Sequence, residues 1–152
     1  MTTRQKLKID YIDIALLKPY KRNAKIHTKK QIAKIIQSMK TFGVVTPILV
    51  NKDYEVIAGH GRLEALKELG YSKVPIIMLE HLSENQVKAY RLADNKIAQD
   101  ATYDEELLKI ELKELIISNE VVITDTGFDI ADIDEIVIDG YGESKDKSDK
   151  AD

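Results

Sequence analysis

The segment that most constrains this chain covers residues 55–65 and reads Glu-Val-Ile-Ala-Gly-His-Gly-Arg-Leu-Glu-Ala. Its first four residues are typical of the end of a buried strand, and a helical pattern of leucines begins directly after Arg62. Gly59 and Gly61 stand at the junction, where glycine permits a positive φ and close approach of the backbone. A strand that passes straight into a helix requires a fold in which a sheet packs against helices.

The same junction has the properties of an anion site. The free amides and the dipole at the N-terminus of a helix attract negative charge. Arg62 can donate two parallel hydrogen bonds to a phosphate group, and His60 can donate another or transfer a proton. Neither a Walker A loop nor a GxGxxG fingerprint is present. An ordinary turn that merely needs glycine, next to a solvated arginine, is the alternative interpretation.

Hydrophobic periodicity predicts the other elements. Strands are expected over residues 8–14, 47–50, 55–58 and 74–79, with the proline of the last strand near its start or at a sheet edge. Helices are expected from Thr28 to Gly43, over 60–69, from Ser83 to about 98, from Asp104, and around 130–136. Thr28 and Ser83 each have a glutamine three residues later, the capping-box spacing. The predicted fold class is α+β, a small mixed sheet with surrounding helices.

Four of these helices have a predicted apolar face. The faces consist of Ile32, Ile35, Ile36 and Met39; of Leu63, Leu66 and Leu69; of Leu107, Leu108, Leu112 and Leu115; and of Ile130, Ile133 and Ile136.

Composition sets the domain boundaries and excludes several classes of protein. Residues 1–100 carry 18 Lys and Arg against 10 Asp and Glu, whereas residues 101–152 carry 5 against 16. We therefore expect a domain over 6–100 that suits an anionic partner, a helical extension over 101–139 and a disordered tail over 140–152. The absence of cysteine rules out disulfides and thiol chemistry. No signal peptide or membrane span is readable, so a cytoplasmic protein without a membrane partner is expected.

Four segments together resemble the N-terminal domain of the ParB family, within the ParB/sulfiredoxin-like superfamily. Residues 18–25 resemble its basic loop after the first strand, and residues 43–47, Gly-Val-Val-Thr-Pro, its nucleobase-side motif. Gly59-His60-Gly61-Arg62 stands where ParB proteins have Gly-Glu-Arg-Arg, and residues 91–96, Arg-Leu-Ala-Asp-Asn-Lys, resemble the second phosphate motif. The order and spacing of the segments agree over roughly residues 6–115.

The resemblance implies a nucleotide-binding domain with a role for each matched residue. A nucleoside triphosphate, CTP being the candidate, would bind with Mg²⁺ and act in a DNA-related process. The implied phosphate contacts are Gly59, His60, Gly61, Arg62, Arg91 and Asn95. Thr46 and Pro47 would face the base, and Asp94 and Asn95 would contact the metal, which prefers oxygen ligands.

Several departures from the family pattern affect this expectation. Gly61 replaces one arginine, which removes a phosphate contact, and the sulfiredoxin cysteine is missing. No helix-turn-helix is readable after residue 115. The pattern is therefore closer to ParB-like domains of phage proteins, or of proteins that carry a DNA methyltransferase, than to centromere-binding proteins. DNA or a DNA-modifying domain is the expected partner, and the oligomeric state, a homodimer included, stays open.

Two other functions are compatible with the sequence. The first is an enzyme, either an NTPase or small-molecule kinase that uses His60 and Glu64 as acid–base groups, or a nuclease. The second is non-specific DNA binding through the basic loop, by Lys18, Lys21, Arg22 and Lys25.

The remaining polar side chains receive structural interpretations. His27 and His81 are predicted to be solvated loop residues, and the three histidines lack the spacing of a zinc site. Arg91 lies one helical turn before Asp94, so an ion pair between them competes with a phosphate role for Arg91.

Overall fold

The computed structural model of the chain describes residues 4–138. The backbone divides into two compact units, Met1–Ala101 and Thr102–Asp152. The tail that the sequence predicts over 140–152, with the last residue of the predicted extension, lies outside the described residues.

The first unit is built on a four-stranded mixed sheet. Its strands are β1 (Ile9–Asp13), β2 (Ile48–Val50), β3 (Val56–Ala58) and β4 (Lys73–Met78), in the order β1-β4-β2-β3. β4 pairs antiparallel with β1 and parallel with β2, and β2 pairs antiparallel with β3. The predicted pairing of the two strands that flank residues 51–54 is confirmed, as is the α+β class.

Three helices complete this unit: α1 (Lys29–Phe42), α2 (His60–Glu68) and α3 (Glu84–Asp100), with a short 3₁₀ turn at Ile14–Leu16. Ser83 and Gln86 form the predicted capping box at the start of α3. At the start of α1 only half of the predicted box forms. Thr28 Oγ1 accepts from the Gln31 amide, but the Gln31 side chain bonds to His27 instead of the cap backbone.

The sheet carries an apolar cluster on each face because successive side chains of a strand point to opposite sides. Val56 belongs to the larger cluster, which it shares with α1 and α2, whereas Ile57 belongs to a smaller one beside α3. The fully buried leucines of α2, Leu63 and Leu66, contribute to the larger cluster. Each such side chain stabilises the fold by about 1.5–3 kcal/mol, so the turn before α2 is firmly anchored.

Pro75 lies within β4, a central strand, where a missing N–H would normally remove a ladder hydrogen bond. It is the third residue of the strand and precedes Ile76, the first residue of β4 that pairs with β2. Pro75 therefore lies ahead of the part of β4 that pairs with β2, but it is neither at the end of the strand nor at a sheet edge, where the sequence predicted it.

The second unit contains α4 (Glu105–Ser118), a 3₁₀ turn at Ile123–Thr126 and α5 (Ile130–Val137). Leu112 and Ile133 are its buried apolar residues among those described, and the rings of Tyr103 and Phe128 lie 5.7 Å apart.

Two residues of the predicted apolar faces in this unit were assigned wrongly. Leu107 is 61% exposed and Ile130 is 64% exposed, because two short helices cover only part of each other's surface. Within residues 4–138 no helix combines the length and the apolar character that crossing a bilayer requires.

Candidate functional site

A cleft of about 240 Å³ opens at the N-terminus of α2. It lies entirely within the first unit and is bounded by the basic loop, α1, the β3–α2 turn and α3. Its polar and charged lining residues are Asn23, Lys25, His27, Gln31, His60, Arg62, Arg91, Asp94 and Asn95. The structure thus brings together three segments that the sequence singled out separately.

The turn formed by residues 59–61 contributes backbone to the lining of the cleft. Gly59 is the N-cap of α2 with φ +106°, a left-handed conformation that L side chains rarely adopt, and no side chain caps the helix. The first bond of the helix runs from the Leu63 amide to the Gly59 carbonyl. The amides of the first turn, residues 60–62, therefore have no partner within the helix, and they can bind an anion.

Arg62 folds back over the turn from which it starts. Its Nη2 donates to the Pro47 carbonyl at 3.1 Å, and its Nε is buried without a hydrogen-bond partner among the described residues. Burial lowers the pKa of Arg62 below its ordinary value, while the Asp94 carboxylate opposes this shift. An orphaned N–H of a buried guanidinium is costly, so an oxygen ligand that accepted from it would stabilise the site.

His60, the first residue of α2, is held in its neutral form. Its Nε2 accepts from the Tyr20 amide at 3.3 Å, so the ring proton is on Nδ1. Burial lowers the pKa of His60 from 6.5 to about 4, with smaller contributions in the same direction from the neighbouring Arg91 and His27 and an opposing effect of Glu55. His60 can donate one hydrogen bond to a ligand, but it brings no positive charge at neutral pH.

Arg91 connects three elements. It is only 7% exposed, and its Nη2 donates to Glu55 at 3.2 Å and to the Val56 carbonyl at 3.0 Å. Its guanidinium carbon lies 3.5 Å from the centroid of the Tyr20 ring. The ion pair with Asp94 that helical spacing suggested is not the one that forms, because Arg91 points from α3 towards β3. Arg91 therefore fixes the basic loop and α3 to the sheet.

Asp94 and Asn95 are the residues that could hold a metal. Both line the cleft, and Tyr90 donates from its hydroxyl to Asp94 at 3.5 Å. Burial, together with Asp94, raises the pKa of Tyr90. No group of three or more acidic, His or Cys side chains suited to a metal occurs among the described residues. One carboxylate and one amide could hold Mg²⁺ only if phosphate oxygens of a bound ligand and water supplied the remaining coordination, which is how Mg²⁺ often binds.

Other predicted site residues lie outside the lining of this cleft. Thr46 and Glu64 are exposed, and Pro47 contributes its carbonyl to Arg62. Lys18 and Lys21 are also exposed. Arg22 lines a neighbouring cleft of about 260 Å³ beside α3, so Lys25 is the one predicted DNA-binding residue that lines the candidate site among the described residues.

His27 was assigned wrongly as a solvated loop residue. It is half-buried, lines the cleft, and lies beside Gly61, which stands 34 residues further along the chain. Asn23 and Gln31 also line the cleft and were not predicted as site residues. The capping-box spacing of Gln31 was the available signal, but it indicates a helix start and says nothing about a ligand.

Comparison of the sequence with known proteins identifies a family. The sequence model of one family, described as the ParB N-terminal domain, matches residues 1–96. The ParB-like nuclease domain-containing protein YnaK of Escherichia coli (strain K12) is 42% identical over 82 residues, which cover 54% of this chain and 94% of that protein. The nucleoid occlusion protein of Geobacillus thermodenitrificans (strain NG80-2) is 29% identical over 98 residues, or 59% of this chain and 34% of that protein.

The fold has a counterpart among solved structures. The C-terminally truncated chromosome-partitioning protein ParB from Caulobacter crescentus, complexed with CTP-γ-S, superposes with a TM-score of 0.71 at 21% identity. The match covers 86% of this chain and 77% of that one. This structural similarity supports the fold. The chain spans only about a third of the length of the nucleoid occlusion protein. The family match over residues 1–96 carries the assignment, and the chain belongs to the ParB N-terminal domain family.

Proposed function

We propose that this chain binds the phosphate groups of a nucleoside triphosphate, with CTP as the candidate, in the cleft at the start of α2, and that it acts in a DNA-related process. The observation that carries the proposal is the convergence of the first-turn amides of α2 with Arg62 and Lys25 on one cleft. The CTP-γ-S complex of the ParB protein with the same fold supports the choice of nucleotide.

The charges around the cleft favour an anion. Lys25, Arg62 and Arg91 line it, against Asp94 as the one carboxylate among the described lining residues. Arg91 is already paired with Glu55, so Lys25 and Arg62 supply the positive charge available to a ligand, against the single Asp94 carboxylate of the lining. A guanidinium and backbone amides at a helix N-terminus are suited to phosphate oxygens in geometry and in charge.

Asp94 and Asn95 are the residues that would hold Mg²⁺ on the nucleotide. The metal would neutralise part of the phosphate charge, which is the chemistry it supplies when bound. The protein's own contribution is to orient the phosphates with the α2 amides and to hold Arg62 beside them through the Pro47 carbonyl.

An enzymatic role receives less support from the site than binding does. Glu64 is exposed and outside the lining of the cleft, and the Nε2 of His60 is occupied by the Tyr20 amide. Within residues 4–138 there is no carboxylate cluster of the kind that two-metal nucleases use. DNA binding by the exposed Lys18, Lys21 and Arg22 stays a prediction, which a salt series in a gel-shift assay would test.

Calorimetry with CTP, ATP and GTP in the presence of Mg²⁺ tests the proposal. Arg62→Ala should weaken binding about tenfold to a hundredfold, the range for a charged hydrogen bond. Lys67→Ala is the matched control, because Lys67 is an exposed cation on the same helix outside the cleft. No binding of any nucleotide by the wild-type protein, or equal affinities for the two variants, would refute the proposal.

A further inference from the structure

The cleft contains a histidine to which neither the sequence nor the comparisons give a role. His27 directly precedes Thr28, the N-cap of α1, and it lines the cleft together with Gln31 of that helix. It therefore reaches the anion-facing turn of α2 from a different element of the fold.

The imidazole of His27 lies where a side chain at position 61 would begin. A Cβ on Gly61 would stand 3.0 Å from His27 Nδ1 and 3.2 Å from its Cε1. It would also stand 2.9 Å from the terminal carbon of Ile35. Gly61 is the second residue of α2, so the ring touches the first turn itself. Glycine at this position makes room for the imidazole.

A single hydrogen bond sets the orientation of the ring. His27 Nδ1 lies 2.8 Å from Gln31 Oε1. An amide oxygen can only accept, so Nδ1 is the donor. Among residues 4–138 no other hydrogen bond to the ring is found, which leaves Nε2 for a ligand. In metal sites, a hydrogen bond to one ring nitrogen of a histidine orients the other ring nitrogen towards the ligand. Gln31 orients Nε2 of His27 in the same way.

We propose that Nε2 of His27 contacts a phosphate oxygen of the nucleotide bound at the first turn of α2, where it supplies a contact that Gly61 cannot make. This inference rests on the proposed function and adds to it the residue that completes the phosphate site from the α1 side. His27 would then contact the ligand from the residue before the N-cap of α1, and Arg62 from the first turn of α2.

The chemistry of this contact requires a proton. With Nδ1 donating to Gln31, Nε2 can donate to a phosphate oxygen only in the imidazolium form. The facing charged or titratable groups are Lys25 on the loop, His60 and Arg62 on α2, and Arg91 and Asp94 on α3. Lys25, Arg62 and Arg91 outnumber the Asp94 carboxylate among these groups, so the cleft attracts the anion that His27 would contact.

The test compares His27→Ala and His27→Gln with the wild-type protein, and His81→Ala is the matched control. His81 is exposed and lines neither the candidate cleft nor the neighbouring cleft beside α3. Calorimetry measures the binding of CTP with Mg²⁺ and the binding of inorganic triphosphate. His27→Ala should weaken the binding of both ligands by about tenfold to a hundredfold. His27→Gln retains a hydrogen-bond donor and should recover part of the affinity, while His81→Ala should leave binding unchanged.

The outcomes separate this inference from the proposed function. If Arg62→Ala loses affinity while His27→Ala binds both ligands like the wild type, the His27 contact is refuted and the nucleotide site stands. If the wild-type protein binds neither ligand, the proposed function itself is wrong. If His27→Ala unfolds at the assay temperature, His27→Gln is compared with the wild type instead. A folded His27→Gln variant that binds both ligands with wild-type affinity overturns the inference.

Discussion

Substitution of Gly59 by alanine should damage both the stability of the fold and the phosphate site. The left-handed φ of +106° costs an L residue about 1–2 kcal/mol. The new Cβ would lie 3.1 Å from Arg62 Nη2, 3.3 Å from Arg62 Nε and 3.3 Å from Ile48 Cγ1. Crowding of this kind adds about 1–2 kcal/mol, so the free energy of unfolding should fall by roughly 2–4 kcal/mol.

Urea denaturation and calorimetry with CTP and Mg²⁺ measure the two consequences separately. Gly70→Ala is the matched control, because Gly70 also has a positive φ, +78°, but a Cβ there would meet no atom within 4 Å. The control should lose only the backbone contribution of about 1–2 kcal/mol and keep its nucleotide affinity. Gly59→Ala should lose more stability and also affinity, because its Cβ displaces the Arg62 guanidinium. Equal losses of stability in the two variants, with unchanged CTP affinity in both, would refute this reasoning.

Two further predictions concern His60 and Arg91. The fold lowers the pKa of His60 from 6.5 to about 4, so as the pH falls the unfolded chain is protonated at His60 before the folded protein is. The stability that neutral His60 provides is therefore complete above pH 6.5 and is lost as the pH falls towards 4. Urea denaturation across this window should give a shallower pH dependence for His60→Gln, and identical slopes would contradict the assignment. Arg91→Met should lower the free energy of unfolding by about 2–4 kcal/mol, because it leaves the Val56 carbonyl and Glu55 without their partner. Lys88→Met, an exposed change on the same helix, should cost much less, and equal losses in the two variants would refute the structural role of Arg91.

Local sequence signals predicted most of the elements of the first unit. The capping residues Thr28 and Ser83 mark the starts of α1 and α3, and positive-φ glycines follow α1 and α2 at Gly43 and Gly70. These signals are reliable because a cap or a positive φ is satisfied within a few residues of the chain. The apolar faces of α4 and α5 were predicted less well, as Leu107 and Ile130 illustrate. Periodicity identifies an apolar stripe but not how much of it a neighbour covers.

The sequence by itself determined that a strand passes through two glycines into a helix, and that an arginine follows on the first turn. This much is local geometry. Only the tertiary structure decided which distant side chains meet around the cleft. His27 lies beside Gly61, and Arg62 donates to the Pro47 carbonyl. Arg91 contacts Glu55 and the ring of Tyr20. These partners lie between 15 and 71 residues apart along the chain, and they meet because α1 and α3 pack on opposite faces of one sheet. Neighbouring groups decide whether a titratable side chain is protonated and where its hydrogen-bond donors point. The chemistry of the cleft therefore follows from the packing.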